Sequence, residues 1–254
     1  MDASITNPAP TSNALWQLAP GYVHIWLWQV ASHPLDPKEL TTLDSREHRR
    51  AERFRPALHR AQWVRSHTGM RHILSGYLGC APADIVFRRG SNGKPFLEKP
   101  SNDAPNPPHF NLSHSHDWCA LAVARDLDLG IDIQIPHPVN PSLWRRVLTS
   151  VEKTHMTTLS PNDRDPAFFR CWTRKEAIGK ADSQGVYIHL KRTETGLLPL
   201  PGNSSIIAAI NASGTPTPWH VTDLNLPASL YGAIATSEPV TIQLHALEQI
   251  DLIL

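Results

Sequence analysis

The chain of 254 residues predicts an α+β protein built from two similar α/β halves, and three observations carry that prediction. A strand-like run, helical segments and then further strand-like runs can be read in each half, in that order. A polar turn at Arg125 to Asp128 separates two apolar runs and marks the break. The length is enough for one large domain or two small ones, each with its own core. The expected division is a loosely ordered segment over 1–14, an N-terminal half over 15–126 and a C-terminal half over 127–254. No sequence repeat is visible at the roughly 20–50-residue periods of repeat architectures.

The elements follow in order. Val23 to Val30 is β-branched and aromatic enough for a strand. Leu40 to Phe54 reads as a helix. Leu58 to Leu78 reads as a longer one, with apolar residues near helical spacing and Gly79 as its stop. Ile85 to Phe87 is a short strand, Ser91 to Pro95 a turn, and Phe96 to His109 a proline-rich connection. After the stretch Asn111-Leu-Ser-His-Ser115 come strands at Cys119 to Ala124 and Leu129 to Ile133. Pro136 to Pro141 is a loop, Leu143 to Leu159 is helical, and Ala167 to Ala181 forms the next helix. The remainder offers strands at Ser205–Asn211, Trp219–Asp223, Tyr231–Thr236 and Val240–Ala246.

Composition narrows the function class. A net charge of +1 leaves no global polyelectrolyte argument for nucleic acid or membrane. The three cysteines form no CxxC pair, and the start carries no basic-then-apolar signal, so a cytoplasmic protein is expected. Locally the balance differs: between Asp44 and His72 there are eight arginines against three acids. That bias reads either as a solvated basic helix pair or as an anion site.

Two stretches carry chemistry. In Cys171 to Lys180, helical spacing stacks Trp172, Lys175, Glu176 and Lys180 along one side. The stripe is either an exposed i, i+4 ion pair or a carboxylate set between two cations. In Leu129 to Gln134, the period of two puts Gly130, Asp132 and Gln134 on one face. A carboxylate in an otherwise apolar strand calls for an ion or an exposed end, because burying a charge uncompensated is costly.

Asn111–Ser115, Gly130–Gln134 and Trp172–Lys180 in this order, with Gly93-Lys-Pro95 upstream, resemble the 4′-phosphopantetheinyl transferases, specifically the longer single-chain Sfp-like type. The resemblance spans Arg46 to Gly185. It implies a pseudo-dimeric fold with the active site in the cleft between the halves. The implied reaction moves the phosphopantetheine arm of coenzyme A to a serine of an acyl, peptidyl or aryl carrier protein, releasing adenosine 3′,5′-bisphosphate. Asp132 and Glu176 would hold Mg²⁺, or Mn²⁺ in its place, with Glu176 as proton acceptor. Lys175 and Lys180 would touch phosphate oxygens or orient the attacking hydroxyl. Lys94, Ser113 and His114 would bind the coenzyme's phosphates, and Arg60 the nucleotide. Arg50 and Arg53 would grip the 3′-phosphate. Gln134 stands where the family carries a third acid, which leaves one negative charge fewer for the metal. The fused halves imply a monomer, and the arginine-rich first half offers a surface to an acidic carrier.

Other readings remain open on the residues alone. A coenzyme A or nucleotide-binding module without catalysis would not need Glu176. A nucleic-acid binder would use the arginine-rich helices. Zinc at His109, His114 and His116 lacks a second ligand pair at recognised spacing, and Ser113 lacks a G-x-S-x-G elbow.

Overall fold

Two four-stranded sheets meet face to face, with one long helix on the outside of each. The computed structural model describes residues 13–247 except 31–32, 92, 100, 102, 183–189, 211–213 and 228–229. Of the expectations above, most of the 1–14 segment, Asn92 of the turn and Asn211 of a strand lie outside the described residues.

The first sheet has the order β10-β1-β5-β4, from β1 (Tyr22–Gln29), β4 (His109–Ser115), β5 (Trp118–Ala124) and β10 (Thr241–Leu247). β10 runs parallel to β1, so the end of the chain returns to the first sheet although it follows the break at 125–128. The second sheet has the order β6-β9-β8-β7: β6 (Leu129–Gln134), β7 (Ser204–Ile210), β8 (Pro216–Asp223) and β9 (Tyr231–Thr236), all antiparallel. A small hairpin pairs β2 (Phe87–Arg89) with β3 (Pro95–Leu97). The strand expected at Ile85 to Phe87 therefore starts two residues later, and Ile85 is core. Part of the proline-rich connection is β3.

α1 (Ser45–Ala51) is shorter than the helix read over Leu40 to Phe54. Asp44 caps it, and Glu47 returns a bond to the Asp44 N–H, so the helix begins at a capping box and the residues before it form a separate 3₁₀ turn. α2 (Ala57–Leu78) ends at Gly79 with φ of 64°, a left-handed conformation that glycine adopts without strain. The helix read over Leu143 to Leu159 is two: α3 (Pro141–Val147) and α4 (Ser150–Thr158). Thr149 and Glu152 build a second capping box between them, which restarts the helix after extended Leu148. α5 (Pro161–Ala181) begins a turn and a half earlier than expected and carries Pro166 in its first turns.

The layers are held by apolar faces. Met70, Ile73 and Leu74 of α2 pack on Trp26, Trp28, Leu121 and Val123 of the first sheet. The other face of that sheet, with Val23, Ile25, Ala120 and Ala122, packs on Leu129, Ile131, Ile133 and Ile234. Ala177, Ile178 and Ala181 of α5 close the second sheet's far side against Trp219, Val221, Ala233 and Ala235.

Gly130 sets the distance between α5 and β6. A Cβ there would lie 2.2 Å from the Ala177 carbonyl oxygen and 2.4 Å from the Ala181 nitrogen, both main-chain atoms that cannot rotate aside. Gly130→Ala is expected to cost at least about 3 kcal/mol, the upper end of the overpacking range. Chemical unfolding measures it; a loss under about 1 kcal/mol would show that the helix can slide off the strand.

Candidate active site

Because α5 lies directly on β6, side chains one and two turns apart on the helix reach the middle of the strand. Asp132 is buried, and its Oδ1 accepts from Lys180 Nζ at 2.7 Å and from the Ser113 hydroxyl at 3.0 Å. Its Oδ2 accepts from the Gln134 amide at 3.2 Å. Lys180 also donates to Ser113 Oγ and to the Ile131 carbonyl, both at 3.0 Å, so all three of its N–H donors are engaged. The expected contact of Lys180 with phosphate would have to displace one of these. Ser113 is equally saturated: it donates to Asp132 and accepts from Lys180 and from the Ile133 N–H.

Glu176 stands one turn before Lys180 and is only 8% exposed. Burial first, and the neighbouring Asp132 charge second, push its carboxyl up to about 7, with Lys180 pulling the other way. Lys180 supplies one positive charge to the two buried carboxylates, so with Glu176 ionised the cluster is one cation short. Hard oxygen donors in that arrangement fit an Mg²⁺-sized dication, which takes one or two protein carboxylates and keeps waters. Gln134 adds a neutral amide, whose oxygen is available if the group turns over.

Lys175 does not belong to this cluster. Its ammonium leaves α5 on a different face, into a buried pair with Glu152 at 2.5 Å, and donates to the carbonyls of Val147 and Leu190. Burial opposes the Glu152 charge, but Lys175 and the N–H groups of Thr149 and Thr195 hold its carboxyl below the ordinary value. The single stripe expected from sequence is thus split, since consecutive helix residues do not face the same way. Trp172 is a packing residue against Phe168 and its neighbours.

On the other side of β4 lies a groove of about 620 Å³ lined by Arg46, Arg49, Arg50, Arg53, Arg89 and His114, among others. Buried Arg71 braces α1 from below, bonding Glu47 at 2.8 Å and the carbonyls of Pro82 and Ile85. The exposed side of α1 therefore presents its arginines to the groove. Arg50, Arg53 and His114 come together here. Arg89 from β2, and the stacked rings of Trp63 and His67 with centroids 3.8 Å apart, join them without any sequence signal having marked them. Two expected residues lie elsewhere. Arg60 is half-buried, and its Nε has no hydrogen-bond partner among the described residues. Lys94 donates to the carbonyls of Leu129 and Ala181 and lines a separate cavity of about 320 Å³. β4 connects cluster and groove, with Ser113 in one and His114 in the other.

Two family models match most of the chain. Residues 128–235 match the model of the 4′-phosphopantetheinyl transferase superfamily, and residues 28–126 match that of a 4′-phosphopantetheinyl transferase N-terminal region. The 4′-phosphopantetheinyl transferase HetI of Nostoc sp. is 32% identical over 222 residues, covering 77% of this chain and 92% of that protein. This chain belongs to the 4′-phosphopantetheinyl transferases. The psf-1 transferase of Bacillus pumilus is 30% identical over 169 residues, 63% of this chain and 70% of that protein. The AcpT transferase of Salmonella typhi is 34% identical over 125 residues, 48% and 58%. The phosphopantetheinyl transferase is thus an enzyme, and the reading as a non-catalytic binding module is set aside. No helix among the described residues is long and apolar enough to cross a membrane.

Proposed function

We propose that this transferase moves the 4′-phosphopantetheine arm of coenzyme A to a serine of an apo acyl, peptidyl or aryl carrier protein, releasing adenosine 3′,5′-bisphosphate, with Mg²⁺ or Mn²⁺ bound. The observation that carries the reading is a buried Asp132–Lys180–Glu176 cluster one residue of β4 away from an arginine groove. The groove takes the nucleotide end: arginine forks suit phosphate oxygens, and His114 stands at its inner wall. The pyrophosphate then extends toward the cluster. A divalent ion held by Asp132 and Glu176, with Gln134 beside them, supplies charge neutralisation on the pyrophosphate. Glu176 takes the proton of the attacking serine hydroxyl, directly or through water. Lys180 acts chiefly by neutralising and orienting Asp132. Both parts of the site lie in one chain, so a monomer suffices.

Intact-mass analysis of an apo carrier protein, incubated with the enzyme, coenzyme A and Mg²⁺, tests the reading. The expected gain is roughly 340 Da, the mass of the transferred arm. No gain with acyl, peptidyl and aryl carriers alike would overturn it. The groove arginines are predicted to act on the coenzyme before the carrier. Reversing either Arg50 or Arg53 alone to glutamate should raise the KM for coenzyme A about 10- to 100-fold, since a lost charged hydrogen bond is worth about 1.5–3 kcal/mol. A rise only in the KM for the carrier would instead assign those arginines to docking.

A further inference from the structure

The outer edge of β6 is closed by side chains and not by a strand. β6 pairs with β9 on one side. On the other, the N–H groups of Ile131, Ile133 and Ile135 and the carbonyls of Leu129 and Ile131 face β4, which is itself paired to β5. Left open in a buried junction, each such group would carry its full desolvation penalty. All five are met by side chains. Asn111 Oδ1 accepts from Ile131 N at 2.9 Å, Ser113 Oγ from Ile133 N at 3.2 Å, and Ser115 Oγ from Ile135 N at 2.9 Å. Lys94 and Lys180 donate to the carbonyls of Leu129 and Ile131.

The three acceptors recur every second residue of β4, and the three donors every second residue along β6 and one residue past its end. A two-residue period on both strands makes a side-chain ladder, and a ladder fixes register. Its middle rung, Ser113, touches Asp132 and Lys180 directly. The outer rungs, Asn111 and Ser115, have no hydrogen bond to either among the described residues. They bind only the backbone that carries Asp132.

We infer that Asn111 and Ser115 are positioning residues for the transfer. They hold Asp132 of the second sheet, and with it Lys180 of α5, in register with His114 and the arginine groove of the first. The inference rests on the proposed function. Because pyrophosphate must span both parts, a shift of about 1 Å between them would be costly to turnover. Binding of the nucleotide end alone, which touches only the groove, would not notice it.

Ser115 is the cleaner probe, since Asn111 also lines the groove and Ser115 does not. In Ser115→Ala, the Ile135 amide should exchange faster with solvent by NMR. The Kd for adenosine 3′,5′-bisphosphate should stay within about two-fold, while kcat falls about ten-fold or more. Ser115→Thr, which keeps the hydroxyl, should recover both the amide protection and the turnover. If Ser115→Ala exposes the Ile135 amide yet keeps kcat within about two-fold, the positioning role is wrong. It is equally wrong if nucleotide affinity, melting temperature and kcat fall together and threonine restores none of them, because the loss is then general unfolding. Should the wild type transfer no arm at all, the functional reading falls and takes the positioning role with it; faster exchange at Ile135 would still show the rung itself.

Discussion

Glu176→Gln is expected to remove transfer and, without divalent metal, to make the protein more stable at mildly alkaline pH. The loss of transfer follows from its proposed place as metal ligand and proton acceptor, and should reach on the order of 10³-fold. The gain in stability follows from the raised carboxyl, about 7 against an ordinary 4.5. Between those two values the folded protein keeps a proton that the unfolded chain has released, so stability falls as pH rises through that window. At about 1.4 kcal/mol per unit, the wild type loses on the order of 3 kcal/mol from this group by the upper end. Glutamine resembles the protonated acid at every pH and is spared the loss. Urea unfolding at about pH 5 and about pH 8, in chelator, measures the contrast; adding Mg²⁺ should stabilise the wild type and not the variant. Parallel pH dependence in the two proteins would mean that Glu176 is not strained by its surroundings.

What could be read in the sequence was whatever depends on neighbours along the chain. Asp132 stood out as a carboxylate in an apolar strand, and its face with Gly130 followed from the period of two. The reason for Gly130 did not, because it lies in the backbone of α5, some fifty residues away. The α3–α4 break was legible in principle, since Thr149 and Glu152 have capping-box spacing. Glu152 itself could not be told from a solvated helix charge until Lys175 arrived from α5 to bury it. The groove was half legible: the arginines of α1 are a run in sequence, but Arg89 and His67 join them only through the packing of the hairpin and α2. The roles of Asn111 and Ser115 were not legible because the donors they satisfy belong to another sheet.

The largest stability effect is expected at Lys175, where sequence order suggested catalysis and the structure shows a pair. Both partners are 1% exposed, and the carboxylate also accepts from two backbone N–H groups. Lys175→Met fills similar space but leaves the Glu152 charge without its cation, and breaking a buried pair in this way costs about 3–5 kcal/mol. The cost should depend on pH in a definite direction. In the wild type the lowered Glu152 carboxyl contributes stability above its ordinary value of 4.5, and that contribution is lost as pH falls through the folded value. In the variant the same carboxyl is buried alone, so its protonation is favoured, and a protonated Glu152 can donate to the carbonyls that Lys175 abandoned. The gap between the two proteins should therefore narrow from about pH 7.5 to about pH 5. Urea unfolding at both pH values reads the gap, and kcat measured well below the melting temperature reads the site. Because the ammonium points away from Asp132 and Glu176, turnover per folded molecule should stay within about three-fold of the wild type. A variant that is folded, as stable as the wild type and unable to transfer would return Lys175 to the reacting groups. It would also mean that α5 turns about its axis when the coenzyme binds.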